Sequence, residues 1–145
     1  MSNEKSAVDE VVGLLENRPF SDDEIMKKAK EVGEAIKENG TEKTKLREYF
    51  GQVKSLATAL RSKTKTVEQA KIELYKMKAR IAYDTQRQGK KKGSDTFKLE
   101  GLKKLIDKAV DRAFEPNADL TKEVLEFSDF FECVMGYYTY EGVKS

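Results

Sequence analysis

The chain of 145 residues has no histidine, and it has only one cysteine and two prolines. Without histidine it cannot build a Ser-His-Asp triad, an imidazole metal site or the Glu-x-x-His motif of di-iron bundles. It also lacks the GxxxxGK and GxGxxG phosphate-binding motifs. We therefore predict a protein that is not an enzyme and has no catalytic residues, no metal and no cofactor. A metal nuclease built from carboxylates alone stays open as an alternative, although no motif supports it.

Long apolar runs are also absent, since no stretch approaches the ~20 apolar residues that a membrane-spanning helix needs. The first residues lack the apolar core of a signal peptide. The single Cys133 cannot form an internal disulfide, which is typical of the reducing cytoplasm. These features predict a cytoplasmic protein. The residues around Cys133 in the sequence are mostly apolar, so we expect its thiol to be buried and unreactive.

Strand-like alternation of Val, Ile and Thr is almost absent, whereas apolar residues recur at helical spacing. Six helical segments are predicted, at residues 7–16, 21–39, 41–61 (starting within 41–44), 66–88, 99–113 and 120–138. The predicted fold class is all-α, a compact helical bundle of five to six helices in a single domain over residues 1–145. Whether the first forty residues pack on this core or swap onto another copy is left open.

Local signals place several helix ends. Two capping boxes, each a Ser or Thr followed three residues later by Glu or Gln, are formed by Ser21 with Glu24 and by Thr66 with Gln69. Asn39-Gly40 is expected to end the second helix, and residues 89–94 are expected to form a loop. Gly51 lies inside a predicted helix at a cost of about 1 kcal/mol relative to alanine, so a close contact is expected there.

The small net charge of +2 hides a strong segregation of charge. Residues 1–40, the acidic N-terminal helices, hold 6 Lys/Arg against 10 Asp/Glu, a balance of −4. Residues 41–93, a basic helix pair with its loop, hold 15 against 5, a balance of +10. Residues 94–145, the acidic C-terminal helices, hold 7 against 11, a balance of −4. A segment with this much positive charge favours a polyanionic partner.

Within the basic segment the cations recur at helical spacing. Arg47, Lys54 and Arg61 are seven residues apart and therefore lie on one side of a helix. On the next helix, cations also align in rows, formed by Lys76, Arg80 and Arg87 and by Lys71 and Lys78. If the two helices are antiparallel, the rows could form one surface. No exposed Trp, Phe or Leu of an interfacial helix accompanies them, so nucleic acid is a better fit than membrane.

Aromatic residues near these rows have two interpretations. Tyr49 and Tyr83 could stack on nucleic-acid bases, but we favour packing against other helices for both. The C-terminal helix contains more aromatic residues, and we expect its Tyr137, Tyr138 and Tyr140 to belong mostly to the core.

Three blocks of the sequence together resemble the small helical subunit of type III-A CRISPR effector (Csm) complexes. They are KTKLREYFGQVKSL from Lys43, KARIAYDTQR from Lys78 and the aromatic FSDFFECVMGYYTY from Phe127. With GLKKLIDKAV between the last two, the resemblance covers residues 41–142. The chain departs from the family at Thr85-Gln86, where an Ala-Gly pair is common.

This resemblance implies a non-catalytic subunit, present in several copies, that supports the duplex of guide RNA and target RNA along its backbone. Its partners would be both RNAs, other subunits of the complex and further copies of itself, with no membrane. The candidate RNA contacts come from the block match, from the charge rows and from the basic loop. The block match gives Lys45, Arg47, Arg80 and Arg87. The charge rows give Lys54, Arg61 and Lys78, and the basic loop gives Lys90, Lys91 and Lys92. The alternative from another functional class is a helical protein-interaction module that binds an acidic protein.

Overall fold

The computed structural model describes residues 7–90 and 98–139, without the side chains of residues 87–90. This part of the chain is built from helices only. They are α1 (Ala7–Leu14), α2 (Asp23–Lys27), α3 (Ala29–Glu38), α4 (Lys43–Arg61), α5 (Val67–Lys90), α6 (Glu100–Ala113) and α7 (Leu120–Thr139). The prediction of an all-α bundle is thereby confirmed.

Helix α7 is the centre of the bundle and packs against α3, α4 and α6. It can do so because apolar residues lie on several of its sides, among them the fully or almost fully buried Phe127, Phe130 and Phe131. Helix α1 covers α3 and α6, whereas α5 lies against α6 and, less extensively, α4. One cluster of buried side chains runs through all seven helices.

The second predicted helix is interrupted at Lys28, so that α2 and α3 follow each other with only this residue between them. A tight turn, in which the Lys28 amide donates to the Ile25 carbonyl, changes the direction of the chain there. Ile25 and Ala29 are both fully buried on the two sides of this turn. The predicted Ser21–Glu24 capping box is wrong, because the carboxylate of Asp22 accepts from the amides of Glu24 and Ile25.

Other local predictions are confirmed. In the Thr66–Gln69 capping box the Gln69 amide donates to Thr66 Oγ1 over 3.1 Å, and the Thr66 amide donates to Gln69 Oε1 over 2.9 Å. Gly40 ends α3 with φ +84°, and the amide of Thr41 reaches back to the carbonyl of Ile36. The close contact expected at Gly51 is wrong, because a Cβ there would meet nothing within 4 Å.

The first forty residues pack onto the core of their own chain as far as they are described. Phe20, Ile25 and Val32 are each 0% exposed, and the ring of Phe20 lies 4.9 Å from that of Phe127, between centroids. The aromatic C-terminal helix departs from the prediction at Tyr137, which is 42% exposed. Tyr138 is buried as predicted and donates a hydrogen bond to the Thr41 carbonyl. Tyr140 lies outside the described residues.

Lys63 ends α4 in the left-handed conformation, with φ 63°, and the amide of Thr64 donates to the carbonyl of Ala59. Because this conformation costs a side-chain residue roughly 1–2 kcal/mol that glycine does not pay, Lys63→Gly is expected to raise the free energy of unfolding by about 1 kcal/mol. Ser62→Gly is the control, since Ser62 has φ −87° and gains no such relief. Chemical denaturation of both variants tests this, and equal effects would contradict it.

Candidate nucleic-acid interface

Helices α4 and α5 bring the first two family-like blocks together. The helices are antiparallel, because Glu48 faces Arg80 near one end of their shared groove while Ser55 and Glu73 line its other end. The remaining residues of this groove are Gly51, Gln52, Lys76 and Met77. The basic rows are therefore antiparallel, but the carboxylates of Glu48 and Glu73 lie between them, so the groove carries mixed charge.

A buried tyrosine–aspartate pair, which sequence reasoning missed, joins the two helices. The hydroxyl of Tyr49 donates to Asp84 Oδ2 over 2.6 Å. Tyr49 is 0% exposed and Asp84 is 4% exposed, so the hydrogen bond is shielded from water. A signal was present in the sequence, because Asp84 follows Ile81 by three residues and so continues the apolar side of α5.

Two predicted RNA contacts, Lys45 and Arg80, belong to an ion-pair network around this pair. Lys45 Nζ lies 3.6 Å from Asp84 Oδ2 and 3.5 Å from Glu48 Oε1. Arg80 reaches Glu48 Oε1 at 2.9 Å, and its guanidinium lies over the Tyr49 ring at 5.5 Å from the centroid. The network holds both cations in place, but their charge is partly balanced by carboxylates of the chain itself.

The environment of Tyr49 also changes its acid–base behaviour. Burial raises the pKa of the Tyr49 phenol, and its hydrogen bond to Asp84 raises this pKa further because the neutral hydroxyl is the donor. The phenol therefore keeps its proton at any pH near neutrality and continues to donate to Asp84.

Two further predicted contacts are ion-paired with the acidic C-terminal segment. Lys54 on α4 lies 3.3 Å from Glu132 on α7, and Lys78 on α5 lies 3.0 Å from Asp111 on α6. The hydrogen bond to Asp111 raises the pKa of Lys78. Part of the charge segregation seen in the sequence is thus used to join helices, which the sequence analysis did not anticipate.

The other two described side chains of the predicted set, Arg47 and Arg61, are exposed and form no ion pair with any described residue. With Lys43 and Lys54 they form a row on one side of α4, within about 40° of the helix circumference at 100° per residue. We call these four residues the α4 cation row. Lys43 was missed as a candidate, although it precedes Arg47 by four residues and is exposed.

The last predicted contacts cannot be placed by their side chains. Arg87 and Lys90 belong to α5, whose side chains are described only as far as residue 86. Since α5 extends to Lys90, the predicted loop begins too early at residue 89. Lys91 and Lys92 lie outside the described residues.

Two sequence-based expectations about reactive or stacking side chains need correction. Tyr49 is buried as predicted, but Tyr83 is 64% exposed and not packed into the core. Cys133 is partly buried, and burial raises the pKa of its thiol, which makes it a poorer nucleophile. Both departures arise because α5 and α7 each keep one side at the surface.

The described residues contain neither a cluster of potential metal ligands nor a helix suited to a membrane. Within residues 7–90 and 98–139, no group of three or more Cys, Asp or Glu side chains is arranged to hold a metal ion. No helix in this part of the chain combines the length and the apolar character that crossing a bilayer requires.

No curated protein and no solved structure matches the chain significantly. A family model described as Csm2 Type III-A matches residues 21–144, which include α2 to α7. The match begins twenty residues before the resemblance noted in the sequence, so α2 and α3 belong to the shared region. The chain therefore belongs to the Csm2 family, the small helical subunits of type III-A CRISPR complexes.

Proposed function

We propose that this chain is a non-catalytic subunit that supports the guide RNA–target RNA duplex through its backbone, in the cytoplasm and in several copies per complex. The observation that carries the proposal is the α4 cation row. Its members Arg47 and Arg61 are exposed, and no carboxylate of the described chain neutralises them. Exposed cations at regular intervals suit phosphates, which position a nucleic acid without reading its sequence.

The Tyr49–Asp84 network supports this function indirectly. It fixes α4 against α5 and holds Arg80 at the edge of the groove, with 42% of its side chain exposed. A phosphate arriving there would compete with Glu48 for the guanidinium. We therefore assign Arg47 and Arg61 as the principal contacts and Lys45, Lys54, Lys78 and Arg80 as cations that contribute after exchanging a carboxylate for a phosphate.

The test is fluorescence anisotropy of a labelled single-stranded RNA titrated with the protein at several salt concentrations. Each lost phosphate contact lowers the log–log salt slope by about 0.7, so Arg47→Glu/Arg61→Glu is expected to flatten it by about 1.4. Affinity at low salt is expected to fall at least about tenfold because two attractive contacts become repulsive. Arg80→Glu is a poorer probe, since it would place a third carboxylate beside Glu48 and Asp84.

The matched control is Lys30→Glu/Lys37→Glu, which makes the same change in net charge on the exposed side of α3. If only total charge matters, both double variants will lose affinity equally, and the assignment of the α4 cation row is wrong. An unchanged salt slope in Arg47→Glu/Arg61→Glu would also refute that assignment. RNA whose sequence is scrambled is expected to bind the wild type within about twofold, because backbone contacts carry no sequence information.

A further inference from the structure

Large apolar side chains are exposed mainly on one helix. Among the described residues, five large hydrophobic side chains are exposed, and four of them lie on α5. They are Val67 at 38%, Ile72 at 55%, Tyr75 at 61% and Tyr83 at 64%. Single exposed apolar residues need no explanation, but a contiguous group on one helix marks a contact surface.

These residues share one side of α5. At 100° per residue, Ile72, Tyr75 and Tyr83 lie within about 100° of the helix circumference, together with the small exposed Ala79 and Ala82. The stretch covers three turns, or roughly 17 Å. We call these five residues the α5 outer stripe. It is left uncovered because α6 and α4 occupy the other sides of the helix.

A recess borders the α5 outer stripe at its N-terminal end. Val67, Lys71 and Tyr75 line it from α5. Phe114 and Pro116 line it from the segment between α6 and α7, and Leu120 lines it from the start of α7. The ring of Tyr75 lies 4.7 Å from that of Phe114, between centroids, which fixes this wall of the recess. A flat apolar stripe beside a recess is suited to a partner that inserts an apolar side chain.

The edges of the stripe are positively charged. Lys71 lies on the α6 side and Lys76 on the α4 side, both exposed and without an ion pair to any described residue. The next cations on the two sides, Lys78 and Arg80, are already paired with Asp111 and Glu48. A partner therefore meets an apolar centre flanked by two unneutralised lysines.

We propose that the α5 outer stripe docks a neighbouring protein subunit whose own surface has an apolar centre and a carboxylate rim. A second identical stripe is a poor occupant because it would place lysines against lysines. RNA is also a poor occupant, since Ile72, Ala79 and Ala82 offer no π face and one side of the Tyr75 ring is taken by Phe114. This proposal goes beyond RNA support and uses a different helix from the α4 cation row.

The experiment uses the assembled effector complex, co-expressed with its guide RNA and purified through a tag on another subunit. The amount of this chain retained per tagged subunit is measured for two variants, Ile72→Ser/Tyr83→Ser and Lys71→Glu/Lys76→Glu. Lys30→Glu/Lys37→Glu is the control for charge alone. Because all the substituted residues are exposed, thermal unfolding is expected to stay close to that of the wild type.

Both stripe variants are expected to be retained at least about tenfold less than the wild type, whereas the control is retained normally. The isolated Ile72→Ser/Tyr83→Ser variant is expected to bind labelled RNA within twofold of the wild type. Normal retention of either stripe variant would overturn the proposal, as would equal loss of the control. Normal retention combined with lost RNA affinity would identify the stripe as an RNA surface instead.

Discussion

Replacing Gly33 by alanine is expected to lower the free energy of unfolding by about 2–3 kcal/mol, the largest effect we foresee for a single added methyl group in this chain. A Cβ at residue 33 would lie 2.7 Å from the Val134 carbonyl oxygen, 3.0 Å from the Tyr138 amide nitrogen and 3.0 Å from Tyr137 Cβ. All three neighbours are backbone or Cβ atoms of α7 and cannot rotate away. The two helices would have to separate.

Separation is costly because α3 and α7 form an extensive contact at the centre of the bundle. Val32 and Ile36 on α3 and Val134 on α7 are almost fully buried there, so a shift of the helices opens voids beside them. Thermal or chemical denaturation measures the effect, and a drop in Tm of roughly 5–10 °C is expected.

Gly51→Ala is the matched control, because Gly51 is also inside a helix but a Cβ there meets nothing within 4 Å. Without a clash, the higher helix propensity of alanine should raise the free energy of unfolding by about 0.5–1 kcal/mol. The two substitutions are thus expected to have opposite signs. A mild effect of Gly33→Ala, similar in size and sign to that of Gly51→Ala, would show that α3 and α7 are farther apart than described here.

These two glycines illustrate what the sequence could and could not predict. Both interrupt a helical pattern, and the sequence alone singled out Gly51, which is open, and passed over Gly33, which is not. The reason is that helical periodicity describes one helix at a time. A close approach between α3 and α7 involves residues about one hundred positions apart, and no local pattern records it.

The same limit applied to the candidate site. The spacing of Arg47 and Arg61 correctly put both on one exposed side of α4. It could not show that Lys54 and Lys78 have carboxylate partners on α7 and α6, because those partners are contributed by the acidic C-terminal segment. The capping of α5 by Thr66 and Gln69 was predictable from the sequence. The cap of α2 was not, because several adjacent residues could cap the same helix end, and Asp22 does so in place of the predicted Ser21.

The second large effect is expected at the Tyr49–Asp84 pair. Tyr49→Phe removes the hydroxyl that donates to Asp84 Oδ2 over 2.6 Å and adds no volume. Among the described residues, the buried carboxylate then keeps Lys45 and Arg80 as charged partners, at 3.6 Å and 3.9 Å. A hydrogen bond to a charged group contributes about 1.5–3 kcal/mol, so the free energy of unfolding is expected to fall by about 2 kcal/mol. Chemical denaturation at neutral pH measures this loss.

Tyr75→Phe is the control on the same pair of helices, because Tyr75 is 61% exposed and its hydroxyl has no such partner among the described residues. Its effect is expected to stay within about 0.5 kcal/mol. A double-mutant cycle sharpens the comparison: Asp84→Asn should cost less in the Tyr49→Phe background than in the wild type, with a coupling of at least about 1 kcal/mol. Additive effects would mean that the two groups do not interact.

The raised pKa of Tyr49 gives this pair a signature at high pH. In the unfolded chain the phenol ionises near pH 10, whereas in the folded protein it stays protonated above that pH. The unfolded state then binds fewer protons than the folded state, so stability falls as the pH rises above about 10. Tyr49→Phe removes this contribution, and its free energy of unfolding is expected to decline less steeply between pH 9 and pH 11 than that of the wild type. If the free energies of unfolding of both proteins decline equally steeply, the Tyr49 phenol ionises equally easily in the folded and unfolded states. The assignment of a buried hydrogen bond from Tyr49 to Asp84 would then be wrong.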